Sequence, residues 1–550
     1  MFTSQRGVLL GILKLMCRRS LRLAMVATVL AATVSLAGCS SLLKSSESEI
    51  HIPANPSAPA DPTEGALATF YQQSPQWQPC EAKEITSEGA SAPADISSYE
   101  CATIKAPLDW NNPGGDTINL RIAIHHSGVK SAPVLFYNLG GPGGAAIESF
   151  SSIMGSTLGS DLTKNFDIVA MDPRGVGEST PVICMTDAER DEYNASSGTI
   201  SSTDPEQIAK HAAEISEKFG KGCLEHSGDL AQHIDTISAA HDFDMARAVL
   251  KQDVLNYLGY SYGTFLGATY ASQFPLRVGR MVLDGALDPA LGADEISNLQ
   301  MKGFEESLHH WIEDCQTSLS CPLTGGLEGG IQQMKNFLER LDKTPLTTSD
   351  PNRPLTQGLA LTAIIGCLYS TSSYANLTEG MSQALSKNDG STLLFLADIL
   401  NERNTDGTYR SNSTDALMAI NSLDYVPEGD VQSWASEAEQ LKAELPILGE
   451  YAGYSSAGLE AWPIKSTAKR GPITAEGTPP ILVIGTTHDP ATPYVMAQSL
   501  ASELSQGHLV TWEGWNHTAY SAQGSACVSK AVNGFFVDGT VPAEGLTCTD

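Results

Sequence analysis

Short apolar runs alternate with helix-like stretches over about residues 98–290 of the chain. Each run is short and mostly apolar, which is typical of a strand buried on both faces of a sheet. The runs lie at 134–139, 166–171, 253–258 and 280–285. Helical spacing separates them, most clearly around 234–250 and 264–271. The alternation predicts a mostly parallel sheet with helices on both faces, an α/β fold.

The pattern changes at about residue 291 and stays different as far as residue 470. Amphipathic helical stretches dominate there, without a clear buried strand, and strand-like runs resume at 480–485 and 508–512. A helical block inserted between strands of one sheet is typical of a lid over an active site. We therefore predict a core over 66–290, a helical lid over 291–470 and the rest of the core over 471–550.

The N-terminal segment has the pattern of an export signal. A basic leader is followed by an apolar stretch that ends in Leu36-Ala37-Gly38-Cys39, which resembles a bacterial lipobox. We predict a lipoprotein signal peptide over 1–38, with lipidation of Cys39 after cleavage. An ordinary secretory signal is the alternative, and the pair Arg18-Arg19 leaves both general and twin-arginine export open. Residues 39–65, rich in Ser, Pro, Ala and Glu, are expected to form a flexible tether.

The charge of the chain narrows its possible partners. Its net charge of -30 argues against nucleic acid and anionic lipid as natural partners, so membrane contact is expected only through the lipid anchor. The sequence contains no C-x-x-C or H-E-x-x-H spacing, and we expect neither metal nor cofactor. The predicted location is the extracellular face of the membrane, with release from the cell as a further possibility.

Eleven cysteines in an exported chain imply disulfides. Proximity along the sequence suggests four pairs: Cys80 with Cys101, Cys184 with Cys223, Cys315 with Cys321, and Cys527 with Cys548. Cys367 lies within an apolar run and is expected to be a buried free thiol.

The pentapeptide Gly259-Tyr260-Ser261-Tyr262-Gly263 stands between a predicted strand and a predicted helix. A G-x-S-x-G sequence in that setting is typical of a nucleophile elbow, a strained turn that exposes the serine hydroxyl above the sheet. The flanking glycines have no side chain to clash in so tight a turn. Ser261 is therefore the candidate nucleophile.

A serine nucleophile needs a histidine base and a carboxylate that orients the base. In folds with this elbow the chain order is Ser, then Asp or Glu, then His, on loops after late strands. Asp489 follows the run 480–485 and His517 follows the run 508–512, so we select these two. The alternatives are Asp284 as the acid and His488 or His508 as the base.

The oxyanion that forms during acyl transfer needs backbone N–H donors. One is expected from Tyr262, directly after the nucleophile. The other is expected from Gly141, in the glycine-rich turn 140–144 that ends an upstream strand.

Several motifs together resemble those of the secreted tripeptidyl and prolyl aminopeptidase group of α/β-hydrolases from actinobacteria. They are GGPGG at 140–144, DPRGVGES at 172–179, GYSYGT at 259–264, VLDG at 282–285 and DPATP at 489–493. The tail from Cys527 to Cys548 is similar as well, and the resemblance covers about residues 75–550. It implies an α/β-hydrolase fold, a serine exopeptidase that releases short N-terminal peptides, and Ser261, Asp489 and His517 as the triad. Asn138 and Leu139 precede the glycine turn where prolyl aminopeptidases have His, which argues against a strict proline iminopeptidase.

An exopeptidase must bind the free α-amine of its substrate, and a buried ammonium needs a carboxylate partner. The start of the predicted lid offers Glu295, Glu305 and Glu306 for this role. We therefore predict a cell-surface serine exopeptidase that acts on peptides with a free N-terminus. An esterase or lipase of the same fold is the alternative, and a catalytically silent binding protein is a third hypothesis.

Overall fold

The computed structural model describes residue 50 and residues 52–87, 90–196, 200, 202–521 and 524–550. Residues 49–550 form one compact unit. The predicted signal peptide and Cys39 lie outside the described residues. No helix in the described ranges combines the length and apolarity that crossing a membrane requires.

The sheet of the compact unit is mostly parallel. Its strands are β1 (Gln78–Pro79), β2 (Tyr99–Pro107), β3 (Thr117–His125), β4 (Val134–Asn138), β5 (Asp167–Met171), β6 (Leu255–Tyr260), β7 (Val278–Asp284), β8 (Ile481–Thr486), β9 (Gly507–Trp512) and β10 (Thr547–Cys548). They lie in the order β1-β2-β3-β5-β4-β6-β7-β8-β9-β10. Pairing is antiparallel from β1 through β3 to β5 and parallel from β5 through to β10.

Helices cover both faces of the sheet and fill the connections. Before β8 and outside the insertion they are α1 (Gly65–Tyr71), α2 (Ala82–Ile85), α3 (Phe150–Ser156), α4 (Ser160–Asn165), α5 (Asp187–Ala195), α6 (Pro205–Ser227), α7 (Thr236–Val249) and α8 (Tyr262–Gln273). After β8 come α17 (Tyr494–Glu503) and α18 (Ala526–Asp538).

Alternate residues of each central strand belong to two different cores. Phe136 of β4 and Val483 of β8 pack in one hydrophobic cluster, whereas their neighbours Leu135 and Leu482 pack in another. The side chains of a strand point alternately to the two faces of a sheet, so these clusters are its two covered faces. This explains the nearly uninterrupted apolar runs, and it confirms the predicted α/β fold.

Eight helices lie between β7 and β8. They are α9 (Ala293–Gln316), α10 (Gly326–Lys343), α11 (Gln357–Leu368), α12 (Tyr374–Ser386), α13 (Ser391–Leu400), α14 (Ser413–Asp424), α15 (Val431–Glu444) and α16 (Ser455–Ala461). We call this segment the helical insertion. Much of it packs around a hydrophobic cluster of its own, in which Leu308, Trp311 and Met334 have no exposed surface.

Buried carboxylates join the insertion to the sheet layer. Asp424, at the end of α14, accepts hydrogen bonds from the Thr236 backbone N–H at 2.9 Å and from its hydroxyl at 2.6 Å. Asp415, on the same helix, accepts from the Arg190 guanidinium at 2.8 Å and from the Cys184 N–H at 2.9 Å. Because these contacts are buried, the insertion is fastened to the core through α14 as well as through its two chain ends.

The segment before α1 differs from the flexible tether predicted over 39–65. Ile50 and Ile52 are partly buried against one of the sheet clusters. Asp61 pairs with both Arg247 and Arg277, and the Arg277 guanidinium also donates to the Pro59 carbonyl at 2.7 Å. The described end of the predicted tether is therefore fixed to the core by apolar contacts and ion pairs.

The structure contains disulfides between the same four pairs that sequence proximity suggests: Cys80–Cys101, Cys184–Cys223, Cys315–Cys321 and Cys527–Cys548. Cys367 is a free, buried thiol in α11, and burial raises its pKa to about 11. A thiol that stays protonated at neutral pH is a poor nucleophile, consistent with a packing role.

Candidate active site

Ser261 occupies a strained turn between β6 and α8. Its φ of 54° and ψ of -125° lie in a region that residues other than glycine rarely adopt. A Cβ atom on Gly259 would lie 2.4 Å from the Gly263 carbonyl oxygen, and one on Gly263 would lie 2.8 Å from the Asn138 Oδ1. Only glycine therefore fits two residues before and two residues after this serine, and the strain is held in place by its surroundings.

Hydrogen bonds fix the backbone of the turn. The Ser261 N–H donates to the Asp284 carbonyl at 2.9 Å. The Thr264 N–H and hydroxyl both donate to the Ser261 carbonyl, at 2.8 and 2.6 Å. The serine side chain remains partly exposed between two buried tyrosines, Tyr260 and Tyr262.

Asp489 and His517 form a hydrogen-bonded pair at the carboxyl ends of two adjacent strands. Asp489 follows β8, His517 follows β9, and the His517 Nδ1 lies 2.8 and 3.0 Å from the two carboxylate oxygens of Asp489. Burial works against a charged imidazole, but the charge and hydrogen bond of Asp489 and the charge of Asp284 outweigh it. The pKa of His517 is therefore raised above its ordinary value.

Backbone N–H groups hold the Asp489 carboxylate in position. Ala491 and Thr492 donate to one oxygen at 2.9 and 2.8 Å, and Thr518 donates to the other at 3.2 Å. The Thr492 hydroxyl also lies 3.3 Å from the His517 Nδ1. Asp489 is 2% exposed as a residue, so its carboxylate meets the histidine in a nearly water-free setting.

Asp284, the alternative acid, has a different place. Its carboxylate accepts from the backbone N–H groups of Ala519 and Tyr520, at 3.0 and 2.7 Å, and burial raises its pKa to about 6. Its carbonyl oxygen binds the Ser261 N–H, so one residue ties the elbow to the segment just after His517. A Cβ on the next residue, Gly285, would lie 3.2 Å from the His517 Cε1.

These contacts bring the elbow and the imidazole together at the carboxyl end of β7. Within the described residues, no hydrogen bond joins the Ser261 hydroxyl to His517. Catalytic hydrogen bonds are often formed only when substrate is bound, so this arrangement is compatible with a nucleophile–base pair. Of the alternative bases, His508 lies at the opposite end of β9 and His488 binds Glu306.

The two predicted oxyanion donors, Gly141 and Tyr262, belong to the glycine turn and to the elbow. Gly141 lies in a turn whose glycines 140, 141 and 143 have φ values of 92°, 107° and 105°. A Cβ on Gly140 would lie 2.9 Å from the Ser261 Cβ and 3.2 Å from the Tyr262 nitrogen, so the turn abuts the candidate nucleophile. Neither the Gly141 nor the Tyr262 N–H donates to an acceptor in the part of the chain that the structure describes.

The three glutamates predicted to bind the substrate amine are found in separate environments. Glu295 closes the first turn of α9 by accepting from the Gly292 N–H. Glu305 is 3% exposed and accepts from the N–H groups of residues 447 and 448. Glu306 pairs with His488 at 2.8 Å on an exposed face. The buried backbone contacts of Glu305 give it a structural role and argue against amine binding.

Another carboxylate, which the sequence interpretation did not select, lies beside the glycine turn. Glu148 lines a cavity of about 860 Å³ together with Ala145 and Gly177. No hydrogen bond from any described residue reaches its carboxylate. Burial and the charges of Glu402 and Asp172 raise its pKa to about 7, although the charge of Arg410 acts in the opposite direction. The only sequence clue to it is its position, four residues beyond the glycine turn.

Several known proteins are similar to this chain over most of its length. The family described as TAP-like protein matches residues 445–548, the segment that holds Asp489 and His517. The serine protease Hip1 of Mycobacterium tuberculosis is 34% identical over 487 residues, which cover 86% of this chain and 90% of that protein. Carboxylesterase B of the same organism is 35% identical over 494 residues, covering 89% and 92%. The tripeptidyl aminopeptidase of Streptomyces lividans is 26% identical over 460 residues, covering 82% and 83%.

The fold, the strained serine at the elbow and the similarities over most of the chain all indicate a serine hydrolase. This chain belongs to the TAP-like family of α/β-hydrolases and is a serine hydrolase of the peptidase group.

Proposed function

We propose that this protein is a cell-surface exopeptidase that releases short peptides from the free N-terminus of its substrates. In this proposal Ser261 is the nucleophile, His517 is the base and Asp489 orients the base. The observation that carries the proposal is the Asp489–His517 hydrogen bond beside a serine held at positive φ. Because Asp489 engages Nδ1, the Nε2 atom of the imidazole is left to exchange protons with the serine.

In the first half of the reaction, the Ser261 oxygen attacks the peptide carbonyl carbon while its proton passes to the His517 Nε2. The carbonyl electron pair moves onto oxygen, where the Gly141 and Tyr262 N–H groups donate to it. As the carbonyl re-forms, the C–N bond breaks and His517 gives its proton to the leaving amine. The N-terminal fragment remains as an ester on Ser261.

In the second half, water attacks the ester carbonyl and His517 takes a proton from the water. Collapse of the tetrahedral intermediate breaks the bond to Ser261, whose oxygen recovers the proton. The released fragment is a short peptide with a new carboxylate. No other group is consumed, and the enzyme returns to its starting state.

Glu148 is the carboxylate that we propose for recognition of the substrate amine. It lies in a cavity beside the glycine turn, where acidic neighbours outweigh the charge of Arg410, and its carboxylate has no hydrogen-bond donor among the described residues. An ammonium group would supply the missing donor and a positive charge in addition to that of Arg410. This choice replaces Glu305, whose oxygens are engaged by backbone.

The test is hydrolysis of a chromogenic panel by the purified full-length protein and by Ser261→Ala. The panel contains mono-, di- and tripeptidyl anilides, their N-acetylated forms and a short-chain ester. We expect cleavage of free-amine anilides that disappears in Ser261→Ala, and the preferred length reports the depth of the amine site. Equal cleavage of acetylated and free anilides would contradict the exopeptidase.

An esterase is the second candidate, since a relative named carboxylesterase B is 35% identical. Turnover of the ester without cleavage of any anilide would favour it.

The location of the enzyme forms part of the same proposal. Small residues directly before Cys39, after a basic and apolar leader, support lipidation of that cysteine. Incorporation of a labelled fatty acid should occur in the natural protein and be lost in Cys39→Ser. Labelling that persists in the variant would contradict the anchor.

A further inference from the structure

The indole of Trp515 lies between two histidine rings. The His310 ring centroid is 3.8 Å from that of Trp515 with an interplanar angle of 12°, and the His488 centroid is 3.9 Å away at 7°. Two imidazoles cannot share one face of an indole at these distances, so they occupy opposite faces. The stack joins α9 of the insertion, the loop that carries Asp489 and the loop that carries His517.

Helix α9 holds this stack at two points. His310 covers one face of Trp515, and Glu306, one turn earlier on the helix, pairs with the His488 Nδ1 at 2.8 Å. The backbone of His488 also donates to the Gly514 carbonyl at 3.0 Å, just before Trp515. The two loops are thereby joined to each other as well as to the helix.

The same helix makes close contact with the acid loop. A Cβ on Gly303 would lie 2.6 Å from the Pro490 carbonyl oxygen and 3.1 Å from that of Asp489. The Gln300 amide donates to the Ala491 carbonyl at 2.8 Å. Helix α9 therefore lies directly on the Asp489 loop, at a distance that only glycine allows.

A second part of the insertion holds the histidine loop from another side. The Tyr369 carbonyl, just beyond α11, accepts from the His517 N–H at 2.9 Å. The Thr371 N–H donates to the Asn516 Oδ1 at 2.9 Å, and the Tyr369 ring meets the His517 ring edge-on at 5.4 Å. A segment that only covered the substrate would not need these contacts with the base.

We propose that His310 and Trp515 are positioning residues, through which the insertion sets the orientation of His517 toward Ser261. The proposal rests on the role of Ser261 and His517 proposed above. Displacement of a catalytic group by about 1 Å can reduce the rate about 100-fold, so loss of the stack should act on the chemical step. Substrate binding at the amine site should change little.

The experiment compares His310→Ala, His310→Phe and Trp515→Ala with the natural full-length protein. The control is Lys302→Ala, because Lys302 lies on the same helix but pairs with Glu444, away from both loops. For each variant we would measure kcat and KM with the best free-amine anilide, the active fraction by titration with a fluorophosphonate, and the pH profile of kcat/KM.

We expect His310→Ala and Trp515→Ala to lower kcat per active site about 10- to 100-fold, with KM within about threefold. His310→Phe keeps an aromatic face on the indole and should restore kcat to within about threefold, and Lys302→Ala should match the natural protein. Loosening of the Asp489–His517 pair should also shift the acidic limb of the pH profile to lower pH.

Two results would overturn the proposal. One is a kcat per active site that stays natural in both alanine variants, even if the active fraction falls, because that indicates a purely structural stack. The other is a failure of His310→Phe to rescue, which would assign the effect to something other than stacking. Activity retained by Ser261→Ala would instead refute the proposed function, so the two failures are distinguishable.

Discussion

His517 experiences opposing influences on its charge. Burial favours the neutral imidazole, whereas Asp489 and Asp284 favour the imidazolium, and the balance raises its pKa. A base must be neutral to accept the serine proton, so activity should be lost as the pH falls below this raised pKa.

The first prediction concerns the pH profile. We expect kcat/KM to fall as pH is lowered, with an acidic limb above the ordinary histidine value of about 6.5. Asp489→Asn should shift that limb to lower pH and lower kcat by up to about 10⁴-fold. The imidazole loses the charge that raises its pKa, and it is no longer held in the tautomer that can accept the serine proton. Steady-state kinetics between pH 5 and pH 9 test this.

A matched control is Asp95→Asn, which breaks an Asp–His pair with His125 at 2.9 Å, on β3 and remote from the elbow. Its profile should be unchanged. An acidic limb at or below 6.5 in the natural enzyme would contradict the prediction.

The second prediction concerns Glu148. Glu148→Gln keeps the shape of the side chain but removes its charge, so we expect KM for free-amine anilides to rise about tenfold or more. Activity on an ester without an amine should stay within about twofold. Glu178→Gln is the control, because Glu178 lines the same cavity but is exposed. Equal effects of the two substitutions would reject Glu148 as the amine site.

Among single residues, the sequence was sufficient to select those whose position is fixed by a local motif or by the order of the chain. The G-x-S-x-G motif and the two late loops were enough to select Ser261, Asp489 and His517, whose catalytic roles stay predictions. The buried environment of Glu305 was not predictable, because its backbone partners at 447 and 448 are distant in sequence. The stack of His310 on Trp515 was not predictable for the same reason.

Among the elements, the sheet interior was the easiest part to predict. The run 134–139 corresponds to β4 (Val134–Asn138), and the run 480–485 to β8 (Ile481–Thr486), because strands buried on both faces are continuously apolar. Strand β3 was not predicted as an element: its outer half alternates between exposed and buried residues, a weaker pattern. Helix α14 was also missed, although it fastens the insertion through Asp415 and Asp424.

The third prediction concerns the disulfides as links between elements. Cys184–Cys223 closes a loop with a sequence separation of 39, whereas Cys315–Cys321 spans only 6. By loop entropy, the first should stabilise the fold by about 4 kcal/mol and the second by about 2 kcal/mol. Chemical denaturation of the two double alanine variants, Cys184→Ala/Cys223→Ala and Cys315→Ala/Cys321→Ala, would measure both. A larger loss from the short loop would contradict this ranking.

The whole molecule carries a high negative charge, and several of its acids are buried. Burial raises the pKa of Asp172 and Asp284 to about 6 and that of Asp424 to about 7. In the unfolded chain these carboxyls titrate near pH 4. Between pH 4 and the raised pKa values, the folded protein holds protons that the unfolded chain has released. Its stability therefore falls as pH rises from about 4 to about 7.

The fourth prediction follows from this linkage. We expect Tm to be higher near pH 5.5 than near pH 7.5, and lower charge repulsion at the acidic pH acts in the same direction. His241 and His310, whose pKa values are lowered by burial, oppose the trend but are fewer.

Calorimetry across this pH range tests the prediction. Asp424→Asn should flatten the slope, whereas Asp229→Asn, at an exposed aspartate, should leave it unchanged. A Tm that rises with pH over this interval would contradict the assignment.

The ion pairs of Asp61 have a consequence for release of the enzyme from the proposed lipid anchor. Arg247 and Arg277 have side chains only 1% and 8% exposed, and both share this one carboxylate from the N-terminal segment. Proteolysis after Asp61 would leave two buried cations with less compensation, which is a costly change. Proteolysis between Cys39, the proposed lipidation site, and Asp61 would release the chain and keep these contacts. A stable released form of this peptidase should therefore retain Asp61.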